Sequence, residues 1–198
     1  MMQEALSDDF LDWWFAPWTY GELAAGSGVI GQVAASTLGR RDSYRHWCEQ
    51  HAVAAVLPAS ADLRWQGAAL RDAQQFALAA TLYGGLFAAR ARRTEELAGL
   101  TAPHRRWCLS VALTQPLAGW TSELPGPLAN ARTRGVLELA LRLEQAFPGM
   151  WSRLRLLLAP ADDVQMAPQL RQPLPETVRL RERERTCWQL CVARAAAS

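Results

Sequence analysis

Nucleophilic catalysis needs a Ser or Cys beside a His and an orienting acid, and this chain offers His46, His51 and His104 for that role. No Gly-x-Ser-x-Gly turn presents a serine to any of them. His46, Glu49 and His51 have the residue types of a metalloprotease helix, in which two His four residues apart hold zinc and a Glu acts as base. Here the two His are five residues apart, and at about 100° per residue the second swings off the face of the first. Cys48 does not complete a ligand set with them, and there is no Cys-x-x-Cys pair. The segment Gly26-Ser27-Gly28-Val29-Ile30-Gly31 matches a dinucleotide fingerprint by its letters, but no strand leads into it and no acid position supports it. The carboxylates of Asp8-Asp9 and Asp162-Asp163 are adjacent in sequence, so on a helix they do not face one point. The expectation is a protein with no catalytic residues, no metal site and no cofactor, and therefore not an enzyme.

Attention passes to contact surfaces. Nine Trp in 198 residues is a high count, and all 21 basic residues are Arg. Trp and Arg are the residue types that anchor protein interfaces. Candidate interface residues are Trp13, Trp14 and Trp18 in an aromatic N-terminal segment, and the Arg90, Arg92 and Arg93 cluster. Further Arg groups lie at Arg40-Arg41, Arg105-Arg106, Arg132 with Arg134, and Arg153 with Arg155. A formal charge of +2 is too small for the electrostatic footprint of a general nucleic-acid binder, so no nucleic acid is expected as partner. An alternative function is an all-α small-molecule-binding protein or enzyme with an apolar pocket around Trp47, His51 and Trp107.

Composition sets the frame that positions these residues. Half of the chain is apolar and a fifth is charged, enough to bury a core in one domain. The four Cys are too scattered for a disulfide framework, and the Cys187 and Cys191 pair would share one helix face. The longest uncharged stretches, residues 23–39 and 73–89, fall short of the roughly 18 apolar residues that membrane insertion requires. The acidic start of the chain is unlike a secretory signal, which points to a cytoplasmic protein without direct membrane insertion.

Periodicity and punctuation predict an all-α fold of about seven or eight helices with Pro-rich joints, forming a single domain over residues 1–198. Residues 1–66 hold aromatic-rich helices, starting near Asp8 after Ser7 and restarting at Pro17. A small-residue helix is expected to end at Gly39 and the next, capped by Asp42-Ser43, to run over 44–57. Residues 67–160 hold the central helices. A long run over about 68–97 carries Gly84-Gly85, where a break or kink is expected. Thr101 and Pro103 start another helix that Pro116 ends, and 114–127 is a loop. The clearest helix, over 129–147, has Val136, Leu137, Ala140, Leu143 and Phe147 on one stripe, with Arg132, Arg134, Glu138 and Arg142 assigned to the wet face. Residues 161–175 read as a Pro-rich loop, and 176–196 as a terminal helix whose Arg181, Glu182, Glu184 and Arg185 pair on a solvated side.

The segment Phe15-Ala16-Pro17-Trp18-Thr19-Tyr20-Gly21-Glu22-Leu23 is similar to a Phe-x-Pro-x-x-Tyr-x-x-Leu pattern. The later succession of Leu137 to Leu143, Gln145-Ala146-Phe147-Pro148, Trp151 and Arg153-Leu154-Arg155-Leu156-Leu157-Leu158-Ala159-Pro160 resembles a block in which a helix leads to a Trp and an Arg/Leu-rich run. A Pro-Leu-Pro joint and a Cys-bearing terminal helix follow. Together these resemble the SctK (YscK/PscK) accessory proteins of the type III secretion injectisome. The resemblance covers about four-fifths of the chain and implies a non-enzymatic scaffold of the sorting platform. Its implied partners are the cytoplasmic domain of the inner-membrane ring protein SctD and the pod protein SctQ, which carries SctL and the ATPase SctN. The implied location is cytoplasmic, peripheral to the inner membrane through the complex.

Overall fold

Small hydroxyl, amide and carboxylate side chains open most of the long helices by accepting the backbone N–H three residues on. The computed structural model describes residues 5–20, 37–171 and 182–198. Ser7 caps α1 (Asp8–Phe15), Asp72 caps α3 (Ala73–Arg90), Thr101 caps α5 (Ala102–Thr114) and Asn130 caps α6 (Ala131–Ala146). The remaining helices are α2 (Thr37–Gln50), α4 (Thr94–Ala98), α7 (Met150–Leu154), α8 (Pro160–Leu170) and α9 (Glu182–Ala196). Short 3₁₀ helices at Pro17–Thr19, Leu63–Ala68, Gly126–Leu128 and Arg155–Leu157 join them. The fold is all-α, with no strand among the described residues, and one apolar core runs from Phe10 to Ala195.

The core is organised on α3, against which α5, α6 and α9 all pack. The α3/α6 contact is unusually close. A Cβ on Gly84 would collide with the carbonyl oxygen of Ala131, and a Cβ on Gly135 with that of Ala80. Gly84 therefore does not break α3, as its propensity suggested. The helix runs straight through, and the missing side chain lets two backbones touch. On the neighbouring side of α3, Trp188 of α9 meets Phe76 and Tyr83 edge-on at 6.3 and 5.5 Å.

Two helix ends differ from the sequence expectation, for one shared reason. The helix expected over 44–57 stops at Gln50, and α2 instead passes through Gly39 and Asp42-Ser43. The run expected over 68–97 divides into a 3₁₀ helix, α3 and α4. In both places the chain turns through a left-handed residue, Ala52 at φ 50° and Arg92 at φ 56°. Each sits in the double hydrogen bond of a Schellman motif, Val53 N to Cys48 O at 2.8 Å and Arg93 N to Ala88 O at 2.9 Å. That position favours Gly, and with Ala and Arg there the usual stop signal is absent from the sequence.

A third difference is α8, which occupies most of the expected 161–175 loop. Pro160 stands at its first position, where the missing N–H costs nothing, and Asp162-Asp163 lie in its first turn, where the helix dipole favours acids. The terminal helix is described from Glu182. Within it Arg185 bonds Glu182 at 2.8 Å as expected, but Glu184 is buried. The expected turn at Gly26 to Gly28, most of the small-residue helix ending at Gly39, and Arg181 lie outside the described residues.

The aromatic N-terminal segment is also corrected. Phe10, Trp13 and Trp14, spaced three and four apart, form one apolar face of α1, and that face is buried against Phe147. Trp13 donates to the Leu70 carbonyl at 2.8 Å and stacks on Tyr20 at 5.4 Å. Trp13 and Trp14 are core residues, with no face left for a partner. Trp18 is half-buried against Trp47 and Tyr44, in a satellite cluster with Cys48 and Val53.

Candidate functional site

The Schellman turn at Arg92 sends consecutive arginines in different directions. Arg90 lines a surface cleft of about 470 Å³ between the end of α3 and the 116–121 segment, with Arg183 of α9 and Arg134 of α6 in the same wall. Arg92 faces a second cleft of about 310 Å³, where Glu95, Glu96 and Glu123 balance it. Arg93 lines both. The structure thus divides the expected Arg90, Arg92 and Arg93 cluster. Among the described residues the first cleft has four arginines and no acidic side chain in its lining. Arg90 is exposed and makes no side-chain hydrogen bond or ion pair with a described residue. Arg93 reaches Glu96 only at 3.4 Å, and Arg183 reaches the Pro116 carbonyl at 3.4 Å.

Beneath this cleft lies a network of charges that sequence reasoning assigned to water. Arg134, Glu138 and Arg142 of α6 are buried, the last two completely. Arg134 forks onto Glu96 with contacts of 2.6 and 2.7 Å, and its third contact is Thr121 Oγ1 at 2.7 Å. Arg142 donates to Glu138 Oε2 at 2.6 Å and to the Ala118 carbonyl at 2.9 Å. Its guanidinium lies over the rings of Trp120 and Phe87, at 4.1 and 4.8 Å. Burial pushes the Glu96 carboxyl up from its ordinary value, while the Arg93 charge pulls it down.

Glu138 is the centre of this arrangement. Its carboxylate accepts from the backbone N–H of Trp120 at 2.9 Å, from the N–H of Thr121 at 3.0 Å and from the Thr121 hydroxyl at 2.6 Å. A side chain at position 119 would crowd Glu138 Oε1, so Gly119 is what lets the segment sit down on the carboxylate. Two buried guanidiniums thus match two buried carboxylates, and the cleft wall is held by hydrogen bonds to charged groups, each worth about 1.5–3 kcal/mol. Arg90 and Arg183 remain above without an ion-paired acid among the described residues, while Arg93 leans on Glu96 at 3.4 Å.

A second buried arginine joins the N-terminal cluster to the core. Arg153 of α7 is fully buried and has no acid partner among the described residues. Its donors go to the carbonyls of Trp14 at 3.0 Å, Gly149 at 3.2 Å and Ala54 at 2.6 Å, and to the Tyr44 hydroxyl at 3.1 Å. The guanidinium carbon lies 3.5 Å from the centre of the Trp14 ring. Burial pulls its pKa down, and Tyr44, Tyr20 and Cys48 oppose that.

The residues considered for chemistry are dispersed. His46 bonds Gln50 at 2.9 Å, and His51 lies 4.3 Å from the Trp47 ring. Trp47 belongs to the satellite cluster, whereas Trp107 packs on the main core, so the two do not share one apolar pocket. The four thiols are buried and unpaired with one another. Burial pushes Cys108 up to about 12 and Cys187 to about 11. No group of His, Cys, Asp or Glu among the described residues is placed to hold a metal. No described helix is long and apolar enough to cross a membrane.

Sequence reasoning missed Glu96 and Arg183 as site residues and misplaced Arg134, Glu138 and Arg142. The available signal was the succession of charges at positions 134, 138 and 142, four residues apart with alternating sign. On an exposed helix that spacing gives the same ion pairs, and burial is decided by Gly135 drawing α3 close. No family model, no curated protein and no solved structure matches this chain.

Proposed function

We propose that this protein is a non-enzymatic adaptor of the type III secretion sorting platform, joining the cytoplasmic domain of SctD to SctQ, with SctL and the ATPase SctN reached through SctQ. Its place would then be cytoplasmic, held at the inner membrane by its partners, and nucleic acid is not among them. The resemblance of the Phe15 to Leu23 segment and of the 137–160 block to the SctK proteins supports the identification.

The observation that carries the adaptor reading is the way the molecule uses arginine. Arg134, Arg142 and Arg153 are spent inside, on hydrogen bonds that fix loops to helices. Arg90 and Arg183 stand outside at a preformed cleft with their charge unmatched by its lining. Rigid support under an exposed charged surface suits recognition of another protein. Buried thiols with raised pKa, and histidines occupied by Gln50 and Trp47, fit a framework role for the groups that would otherwise do chemistry.

The test is size-exclusion chromatography with light scattering on this protein mixed with the SctD cytoplasmic domain and, separately, with SctQ from the same genome. A stable complex with either is expected. Two separate peaks in both mixtures, with helical circular dichroism confirming folded protein, would overturn the injectisome assignment.

A further inference from the structure

The arginine cleft has a mixed character that narrows its occupant. Its positive side chains, Arg90, Arg93 and Arg183, surround apolar surface from Ala91, Pro116 and Ala118 over the buried Phe87 and Leu117, and no acid joins the lining among the described residues. A volume of about 470 Å³ lies in the range of roughly 300–1,000 Å³ typical of sites for drug-sized ligands. That is room for a few side chains, far more than a single small anion fills. A nucleotide is disfavoured by the rings, because Arg142 already lies over both Phe87 and Trp120. Guanidinium forks match carboxylates bidentately, and the apolar patch between them suits an aliphatic side chain.

We propose that this cleft binds an acidic, Leu-bearing peptide segment of a partner protein, with its carboxylates on Arg90 and Arg183 and an aliphatic side chain against Ala91, Pro116 and Ala118. The inference rests on the adaptor reading for the occupant being a protein, and on the cleft's own chemistry for the kind of segment. Arg92, although adjacent in sequence, takes no part, because its side chain faces the neighbouring cleft that Glu95 and Glu123 already balance.

The experiment is fluorescence anisotropy with a fluorescein-labelled Leu-Glu-Glu-Leu-Glu-Glu peptide on the intact protein. A Leu-Gln-Gln-Leu-Gln-Gln peptide is the neutral control, and inorganic phosphate is the competitor. Saturable binding of the Glu peptide alone is expected, weakening as salt screens the charges. The double substitution Arg90→Glu and Arg183→Glu should weaken it about tenfold, two partly exposed ion pairs each becoming repulsive. Arg92→Glu should leave it within about twofold. These side chains are exposed, and circular dichroism verifies that the variants fold.

Equal binding of both peptides, an Arg90→Glu/Arg183→Glu variant that binds normally, or displacement by phosphate at concentrations matching the peptide would each overturn the proposal. The two readings fail separately. Peptide binding that the double substitution abolishes, with no SctD or SctQ complex, removes the injectisome assignment and keeps the cleft. A SctD or SctQ complex indifferent to the double substitution, with no peptide binding, does the reverse.

Discussion

Arg142 and Arg153 are both completely buried, yet they are accommodated in different ways. Arg142 belongs to an ion-paired set in which Glu96 and Glu138 balance Arg134 and Arg142, and the set fixes the 118–121 segment on α6. Arg153 is surrounded by three carbonyls, a tyrosine hydroxyl and a tryptophan ring, and it fixes α1 and the 51–55 turn on α7. A balanced set leaves charge behind when one member is lost, and that charge stays buried. A guanidinium held by carbonyls takes its charge away when it is lost, leaving only dipoles without a donor. The same residue type is thus a network member in one region and a single bolt in the other.

The largest effect should come from breaking the balanced set. Glu138→Ala strands the Arg142 guanidinium and the N–H groups of Trp120 and Thr121, and should cost about 3–5 kcal/mol in urea denaturation. Arg153→Met removes its own charge and should cost less, about 2–3 kcal/mol, chiefly from the unsatisfied carbonyls of Trp14 and Ala54. A larger loss for Arg153→Met than for Glu138→Ala would reverse the ranking and refute the distinction.

The thiols sharpen the comparison through pH. Cys108 and Cys187 sit in the main core with pKa values raised to about 12 and about 11. The unfolded value is about 8.5, so the folded thiol stays protonated where the unfolded one ionises. Stability from these two is therefore complete below about pH 8.5 and falls as pH rises towards 11 and 12, by about 1–2 kcal/mol per thiol at pH 10. Alkaline denaturation midpoints should show the fall, and Cys108→Ala should flatten it. Cys48, in the satellite cluster, is also raised by burial, but Tyr44 and Arg153 pull it down. It should react first with a thiol reagent.

The smallest effects concern the left-handed turns. Ala52→Gly in one region and Arg92→Gly in the other should each gain about 0.5–1 kcal/mol. The relief of left-handed strain, about 1–2 kcal/mol, exceeds the entropy that Gly adds to the unfolded chain. Thermal melts suffice to read it.

The sequence made the helices legible where local chemistry marks them. Ser7 and Thr101 cap as their types require, Pro17 and Pro103 stand early in their elements, and Pro148-Gly149 ends α6 through a left-handed Gly149. The stops at Ala52 and Arg92 were hidden because tertiary packing holds non-Gly residues in a Gly conformation. The site was half legible. Arg90 and Arg93 were identifiable as a cluster, but the turn between them sends Arg92 elsewhere, and Arg183 comes from a helix ninety residues later. Trp13 and Trp14 stand three and four residues after Phe10, yet an amphipathic face reads the same whether a core or a partner covers it. The burial of Glu138 follows from the close approach of Gly135, one turn away, to Gly84, which lies on another helix and more than fifty residues earlier.

The most direct test is hydrogen exchange read by mass spectrometry on the wild type, Glu138→Ala and Arg153→Met. Two independent anchors predict that Glu138→Ala exposes the amides of Trp120 and Thr121 and leaves Val53 and Ala54 protected, while Arg153→Met does the opposite. Loss of protection in both regions from either substitution would contradict the account.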